Sequence, residues 1–511
     1  MRPTFMGFES ATRGLMANQK ALDIVGNNLG NIGVTGYTRQ RVDLVSLGVT
    51  SRYARFTSKT STLAGQGVNV NGVSQIRDPF LDKRFREQSA DVGYYNKLHE
   101  ALTDIETTLN DINPSPMSDA IANFEKSFKI MQEDGLSAVN SNGILGAANT
   151  VTQALREFDN KLANVWEQQR FDLGVEVNEV NSTLKNIADM NGIIKREVFN
   201  SAKPGNEYYG PNELLDQRNV LLDKLALYAD VEVKQNGNGT VTVTMGGKVV
   251  VDDESNEFMD LVTDQQNKTV SVNWQSTGKP IEIYGGSLKS AVEMLNGRGS
   301  EGVPIRGEGF DKGILYYRDK INKFATVIAD TFNSAIKEYE PELLPNGDPN
   351  PHAYEFKGYK QLFTFKDSSE RTAGGIGISA DWQSDPEYIT KNVHEKGEGK
   401  DSTKFLSSVF DSFTKKLDFG EFKGNFNDYV KFYSAATLGN QLSAATARQE
   451  ASVDIANSLL DQISGISGVS QEEDGVDMMQ YTKAYNSMGR LMTALDEALD
   501  VLINKTGLVG R

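Results

Sequence analysis

Apolar residues recur every three or four positions along both ends of the chain. The N-terminal stripe has one polar member and consists of Phe8, Ala11, Leu15, Asn18, Leu22, Val25, Leu29 and Ile32. The C-terminal stripe consists of Met478, Tyr481, Tyr485, Met488, Met492, Leu495, Leu499 and Leu502. This is the spacing of positions a and d in a left-handed coiled coil. We predict a helix at each end and assign these residues to an assembly interface, although two amphipathic helices on an ordinary core would show the same pattern.

The same helical spacing continues inside the two ends. It predicts helices over 98–112, 117–131, 144–194, 214–228, 287–295, 315–339 and 427–463. Asn113-Pro114 separates the first two, because proline interrupts the hydrogen bonding of a helix. This much local helix indicates a bundle.

A different period appears in the middle of the chain. Apolar and polar residues alternate over 231–234 and 240–244, and Gln235-Asn236-Gly237-Asn238-Gly239 separates the two runs as a turn. Residues 249–251, 269–274 and 281–284 are predicted as further strands, whereas 341–425 is mixed and is expected to hold β structure and loops. The pattern predicts a hairpin and a small β domain.

Together these periods predict an α+β multidomain fold with coiled-coil helical ends, a helical-bundle middle layer and a β-rich centre. The expected terminal coiled-coil domain combines 1–40 with 475–511. The helical core domain combines 41–230 with 287–340 and 426–474. The β domain is 231–286, and 341–425 is a variable mixed region.

Charge differs between the two ends. Residues 1–60 carry eight basic and three acidic side chains, a net charge of +5, whereas residues 471–511 carry four basic and seven acidic ones, a net charge of −3. Opposite charge favours contact between the two ends, or between an end and a neighbouring copy. Within the second segment, Glu472-Glu473-Asp474 is expected to be a solvated turn. Asn18 either fixes the helix register or faces solvent.

Composition excludes several classes of function. The chain of 511 residues has no cysteine and three histidines, and its net charge of −16 disfavours nucleic-acid binding. Motifs of zinc proteases, phosphate loops and serine enzymes are incomplete, so we predict no enzyme, catalytic residue, metal ligand or cofactor. No run approaches the roughly 20 apolar residues of a membrane span, and the N-terminus lacks the apolar run of a secretory signal. We therefore expect that the protein does not insert into a membrane. We also expect that it is exported without a cleaved signal peptide.

Two short segments near the N-terminus resemble a known signature. Asn27-Asn28-Leu29-Gly30-Asn31 and Gly36-Tyr37-Thr38-Arg39-Gln40 are similar to the N-terminal signature of the flagellar rod, hook and hook-associated protein family. That signature usually continues with Thr-Pro-Gly-Tyr, and here Val34-Thr35 replaces Thr-Pro. The signature residues of interest are Asn27, Asn28, Gly36, Tyr37, Arg39 and Gln40.

Further landmarks resemble the hook-associated branch of this family that joins hook to filament. They include Leu214-Leu215-Asp216-Gln217-Arg218, Gly285-Gly286-Ser287-Leu288, Ala329-Asp330-Thr331-Phe332-Asn333 and Ser467-Gly468-Val469-Ser470. The resemblance covers about 1–340 and 425–511. It implies an extracellular structural protein of the bacterial flagellum, exported by the flagellar type III apparatus and needed for motility.

The resemblance also implies partners. These are further copies in a homo-oligomeric ring, the hook protein on one side, a second hook-associated junction protein on the other, and an export chaperone that holds the C-terminal helix. A secreted adhesin or cell-surface stalk with coiled-coil ends is the alternative from another class of protein.

Overall fold

The computed structural model describes residues 6–47, 67–110, 116–201, 211–299, 312–343, 349–394 and 402–505. Its helices are α1 (Met6–Gly30), α2 (Pro79–Asn110), α3 (Pro116–Asp134), α4 (Ala138–Ser201), α5 (Asn212–Tyr228), α6 (Gly286–Asn296), α7 (Ile314–Asn333), α8 (Ala380–Ser384), α9 (Leu406–Thr414), α10 (Phe426–Lys431), α11 (Leu438–Ser467) and α12 (Gln471–Asp500). A π-helical segment, Phe432–Thr437, joins α10 to α11. A second one, Val501–Lys505, continues α12.

The strands are short and antiparallel. They are β1 (Gln40–Ser46), β2 (Val68–Gln75), β3 (Val231–Gln235), β4 (Val241–Met245), β5 (Lys248–Asp252), β6 (Ser255–Asn256), β7 (Met259–Asp264), β8 (Thr269–Trp274), β9 (Lys337–Leu343), β10 (Pro349–Tyr359), β11 (Phe363–Phe365), β12 (Ile376–Ile378), β13 (Leu417–Asp418) and β14 (Lys423–Gly424). Strands β3 to β6 form a four-stranded sheet in sequential order, and the others pair two by two. The predicted α+β fold class is confirmed.

Helix α4 is the longest helix among the described residues. Its 64 residues span roughly 96 Å at the usual rise of 1.5 Å per residue. It packs along α3, α5, α6 and α7, and α2 packs along α5, α6 and α11. Trp166 of α4 donates its indole N–H to the carbonyl of Leu295 at 3.1 Å, which ties α4 to the end of α6. The predicted bundle of helices is confirmed.

Two predicted elements differ from the structure. The helix expected over 315–339 ends at Asn333, and β9 begins at Lys337. From Lys337 onward the backbone pairs with β10 in antiparallel register, which takes the place of the last predicted helical turns. Residues 281–284 were expected to form a strand, but they lie outside the named strands, and only Pro280 makes an isolated bridge, with Asn273. Pro280 has no N–H to donate to a ladder.

One apolar core runs through the helical and β regions. Its buried members begin at Tyr94 and end at Ala445, and they include Phe363, Trp382 and Phe413 from the mixed region 341–425. No described residue of α1, β1, β2 or α12 belongs to this core. The two ends of the chain therefore form a separate terminal unit, consisting of α1, β1, β2 and α12, that does not share the main core.

Candidate assembly site

The two terminal helices pack against each other in antiparallel orientation. Near the start of α1, a Cβ on Gly7 would lie 3.2 Å from the side chain of Leu495. Two turns later, a Cβ on Gly14 would lie 3.2 Å from the side chain of Met488. Ala11, Ala17 and Ala21 are buried on α1. Small residues thus let the two helices approach closely.

The predicted N-terminal stripe lies at the edge of this contact. Ala11 and Val25 are buried, Phe8, Leu15, Asn18, Leu22 and Leu29 are half-buried, and Ile32 lies beyond the end of α1 and is exposed. The most buried line is shifted toward Gly14, Ala17, Ala21 and Ile24, because the helix turns its smallest side chains toward α12. Asn18 is half-buried and donates its amide N–H to the carbonyl of Gly14 at 2.7 Å, so its side chain bonds to its own helix.

The C-terminal stripe divides in the same way. Tyr481, Met488, Met492, Leu495 and Leu499 are half-buried along α1, whereas Met478, Tyr485 and Leu502 are exposed. Exposed apolar side chains continue over the rest of the terminal unit. They are Met16, Ile32, Val34, Leu44, Val45, Val476, Met478, Met479, Tyr485, Leu491, Val501, Leu502 and Ile503. Exposed apolar side chains in this number make the terminal unit a candidate interaction surface.

Asn28 organises the loop that follows α1. Its amide N–H donates to the carbonyl of Gln40 at 3.0 Å, and its Oδ1 accepts the N–H of Gln40 at 3.1 Å. The same Oδ1 accepts the hydroxyl of Tyr37 at 2.8 Å, and Asn27 donates to that hydroxyl at 3.4 Å. Asn28 is buried, so these bonds satisfy its polar atoms. Burial, with Asp216 and Asp474 nearby, raises the pKa of Tyr37 to about 12.

Arg39 joins this loop to the start of α12. Its guanidinium contacts Glu473 at 2.5 Å, Asp474 at 3.2 Å and Asp477 at 3.7 Å. Its backbone N–H donates to the carbonyl of Ser467 at 2.8 Å. Burial raises the pKa of Asp474 and outweighs the opposing effect of the Arg39 cation. The expectation of a solvated turn over 472–474 is therefore wrong in two respects, because these residues open helix α12 and Asp474 is buried; Glu472 and Glu473 are exposed, as expected.

Asp216 attaches the terminal unit to the helical core. It lies in α5, is buried, and accepts the N–H of Thr38 at 3.2 Å and the side-chain N–H of Gln75 at 2.8 Å. Burial is the main cause that raises its pKa. Asn212, one turn earlier, donates to the side chain of Gln40 at 3.1 Å. Polar contacts at these positions fix the loop 31–39, which joins α1 to β1 and which we call the signature loop, on α5.

Arg218 lies two residues further along α5, and its contacts are with α4 and the loop before β4 rather than with the terminal unit. Its guanidinium donates to Oδ1 of Asn191 at 3.0 Å and to the carbonyl of Gly239 at 2.6 Å. Asn191 in turn donates to the carbonyl of Val241 at 2.8 Å. The motif 214–218 thus connects the terminal unit, through Asp216, with α4 and the sheet β3–β6, through Arg218.

Two family profiles match the chain. "Flagellar hook-associated protein FlgK helical domain" matches residues 102–338, and "Flagella basal body rod protein" matches residues 8–38. Flagellar hook-associated protein 1 of Bacillus subtilis (strain 168) is 27% identical over 100% of this chain and 100% of its own length. The chain is therefore similar to flagellar hook-associated protein 1.

Hook-associated protein 1 from other bacteria matches over part of its length. The protein of Salmonella typhimurium is 27% identical over 63% of this chain and 55% of its own length. That of Escherichia coli K12 is 24% identical over 66% of this chain and 58% of its own length. A solved structure of the flagellar hook junction protein FlgK from Burkholderia pseudomallei aligns with 16% identity and a TM-score of 0.42, over 55% of this chain and 46% of that one.

The proteins of this family are structural components of the flagellum. The two matched regions correspond to two different parts of the fold. The profile over 8–38 covers α1 and most of the signature loop, and the profile over 102–338 covers α3 to α7 with the sheet β3–β6. In the described ranges, no helix is both long and apolar enough to cross a membrane.

Sequence reasoning missed Asp474 as a buried partner of Arg39. Asp474 stands one heptad before Tyr481, so the C-terminal stripe can be extended back to it. Ser470 also accepts the N–H of Glu473 at 3.4 Å, as the N-cap of α12. Together these patterns place Asp474 in the first turn of a helix and on its packed side.

We expect Arg39→Ala to loosen the start of α12. The substitution leaves Asp474 buried without its cation, which costs about 1–3 kcal/mol. Hydrogen exchange of the amides of 474–480 should then become faster, with little change in the core. Arg41→Ala is the matched control, because the Arg41 side chain is exposed and pairs only with Asp43 at 3.2 Å among the described residues. Equal exchange in the two variants would contradict the role of Arg39.

Proposed function

We propose that this chain is a subunit of the junction between the flagellar hook and filament, where it assembles into a homo-oligomeric ring through its terminal unit. The observation that carries this proposal is the separation of the terminal unit from the main core, together with its exposed apolar surface. Contacts between different surfaces of identical copies generate rings or helical arrays. The names of the relatives support the hook-associated part of the proposal.

The proposal includes three kinds of partner. The ring contacts hook protein on one side and the second hook-associated junction protein on the other. Before export, a cytoplasmic chaperone covers the exposed face of α12. Met478, Met479 and Tyr485 on that face suit binding in a groove, since methionine adapts to different surfaces.

Physical reasoning favours a partner for α12. Only Asp474 of this helix is fully buried, so the contact with α1 leaves most of its surface exposed. Helical stability in proteins comes mostly from packing of an amphipathic face. Further burial in an assembly therefore stabilises the terminal unit.

Electron microscopy of cells that lack this protein tests the proposal. We expect hooks without filaments and flagellin shed into the medium, because the junction on which the filament forms is missing. Normal filaments in these cells would refute the junction role. Cells with normal filaments that no longer adhere to surfaces would favour the adhesin alternative.

A pair of variants connects this role with the terminal unit. Met478→Asp combined with Tyr485→Asp places charge on exposed apolar positions, so the monomer should fold while filaments are lost. Thr493→Asp is the control, because Thr493 is an exposed residue of the same helix that is already polar, so the substitution adds the charge without removing an apolar side chain. Filaments in cells with the first variant would contradict assembly through this surface.

A further inference from the structure

A groove opens between the signature loop and two helices of the core. We call it the junction groove, and its lining residues are Thr35, Asn186, Asp189, Met190, Ile193, Gln217, Val220 and Leu221. Its volume is about 490 Å³. The lining comes from the signature loop, α4 and α5, and α12 of the same chain does not contribute to it.

The two segments that carry the family resemblance contribute to the walls of this groove, together with α4. Gly36 has a φ of +83°, and a Cβ there would lie 2.4 Å from Cγ2 of Val220. Glycine is the residue that tolerates both this φ and this close approach. Gln217, from the motif 214–218, also lines the groove, together with Leu221.

The rim of the junction groove is apolar and open to solvent. The exposed fraction is 55% for Val34, 40% for Ile193 and 42% for Val220. Asp189 is the charged residue of the lining, and it is exposed. Among the described residues, no ion pair of Asp189 is present. An apolar groove with one uncompensated carboxylate suits an occupant that combines apolar side chains with a cation.

The outer face of α12 has this combination. The basic residues of this helix are Lys483 and Arg490, and both are exposed. Lys483 follows Tyr481 by two positions, and Arg490 follows Met488 by two positions. Because Tyr481 and Met488 face α1 and two positions correspond to about 200° around a helix, both basic residues point away from α1. Met479, one turn before Lys483, is exposed by 56%. The outer face therefore presents Met479 and the two basic residues away from α1, with Glu472 and Glu497 on the same side of the helix.

We propose that the junction groove receives the outer face of α12 from a second copy of this chain, with Met479 in the groove and Lys483 against Asp189. The inference rests on the proposed assembly of copies and identifies one contact within it. The groove of one copy and the helix of the next are different surfaces, so the contact is heterologous and repeats from copy to copy.

Cysteine cross-linking tests this contact, and the absence of cysteine from the chain makes it specific. A variant with both Val220→Cys and Met479→Cys is produced as the only copy in the cell, and isolated hook–filament structures are oxidised. We expect a ladder of dimers, trimers and larger species, because each chain bonds to two neighbours. Single variants should give no ladder. The control pairs Met479→Cys with Phe171→Cys, which replaces an exposed residue elsewhere on α4 and should give no cross-link.

Charge reversal provides an independent measurement. Asp189→Lys and Lys483→Asp should each lower the number of filaments per cell about fivefold, since like charges then face each other. The double variant restores the opposite charges and should recover most filaments. Filaments at the normal number in both single variants, or intact filaments without a ladder, would overturn the inference.

The two proposals fail separately. If the groove variants assemble normally while Met478→Asp with Tyr485→Asp still abolishes filaments, the junction groove is excluded and assembly through the terminal unit stands. If all of these variants form normal filaments, both proposals are refuted.

Discussion

A chain that ends at Ser470 should keep the cooperative unfolding of its core and lose assembly completely. The buried core extends from Tyr94 to Ala445 and includes no described residue of α12. Removal of 471–511 therefore leaves the apolar contacts of the core in place, although it exposes α1. Calorimetry should show the main transition within a few degrees of that of the full chain, and cells with the shortened chain should bear no filaments.

A second truncation is the control for this result. A chain that ends at Thr437 also loses α11, which packs along α2 and contributes Leu438 and Ala445 to the core. We expect this shorter chain to unfold at a much lower temperature or not to fold. If the chain ending at Ser470 loses its main transition too, α12 belongs to the core, and the separation of the terminal unit is refuted.

Arg218→Met should cost about 2–4 kcal/mol of the free energy of unfolding. Arg218 is buried, and its guanidinium holds α5 to Asn191 of α4 and to the carbonyl of Gly239 before β4. Methionine fills part of the same volume but donates no hydrogen bond, so that the carbonyl loses its charged donor. Urea denaturation followed by circular dichroism measures the loss.

Two further variants make the role of Arg218 specific. Lys224→Met changes another cation of α5, but Lys224 is exposed and pairs with half-buried Glu179 at 2.5 Å, so it should cost less than about 1 kcal/mol. Arg218→Lys keeps the charge without the planar fork and should give an intermediate loss. If Arg218→Met and Lys224→Met have equal effects, the bridge from α5 to the sheet does not contribute to stability.

The local pattern was sufficient to locate most elements. Spacings of three and four predicted the helices, and alternation with a Gly-rich turn predicted β3 and β4. It failed where the pattern carried no information on pairing. Lys337 to Tyr339 reads as the end of a helix, and it becomes part of strand β9 because β10 provides its hydrogen-bonding partners.

The polar site was only partly predictable. Asn28, Tyr37 and Arg39 were identified by resemblance, but Asp474 was not, because it lies 435 positions after Arg39 in the chain and next to two exposed acids. Which acid of such a cluster is buried depends on the direction in which the helix faces. That direction is set by the contact of Gly7 and Gly14 with α12.

By itself, the sequence determined the periods of the helices and strands, the stripes at both ends and the segments that identify the family, because these depend on residues close together in the chain. The tertiary structure decided that the two ends pair with each other outside the main core. It also decided that Asp216, Arg39 and Asp474 meet at the signature loop, and that Gly36 and Val220 form a groove. Contacts across hundreds of positions depend on how whole helices pack, and local spacing does not encode that packing.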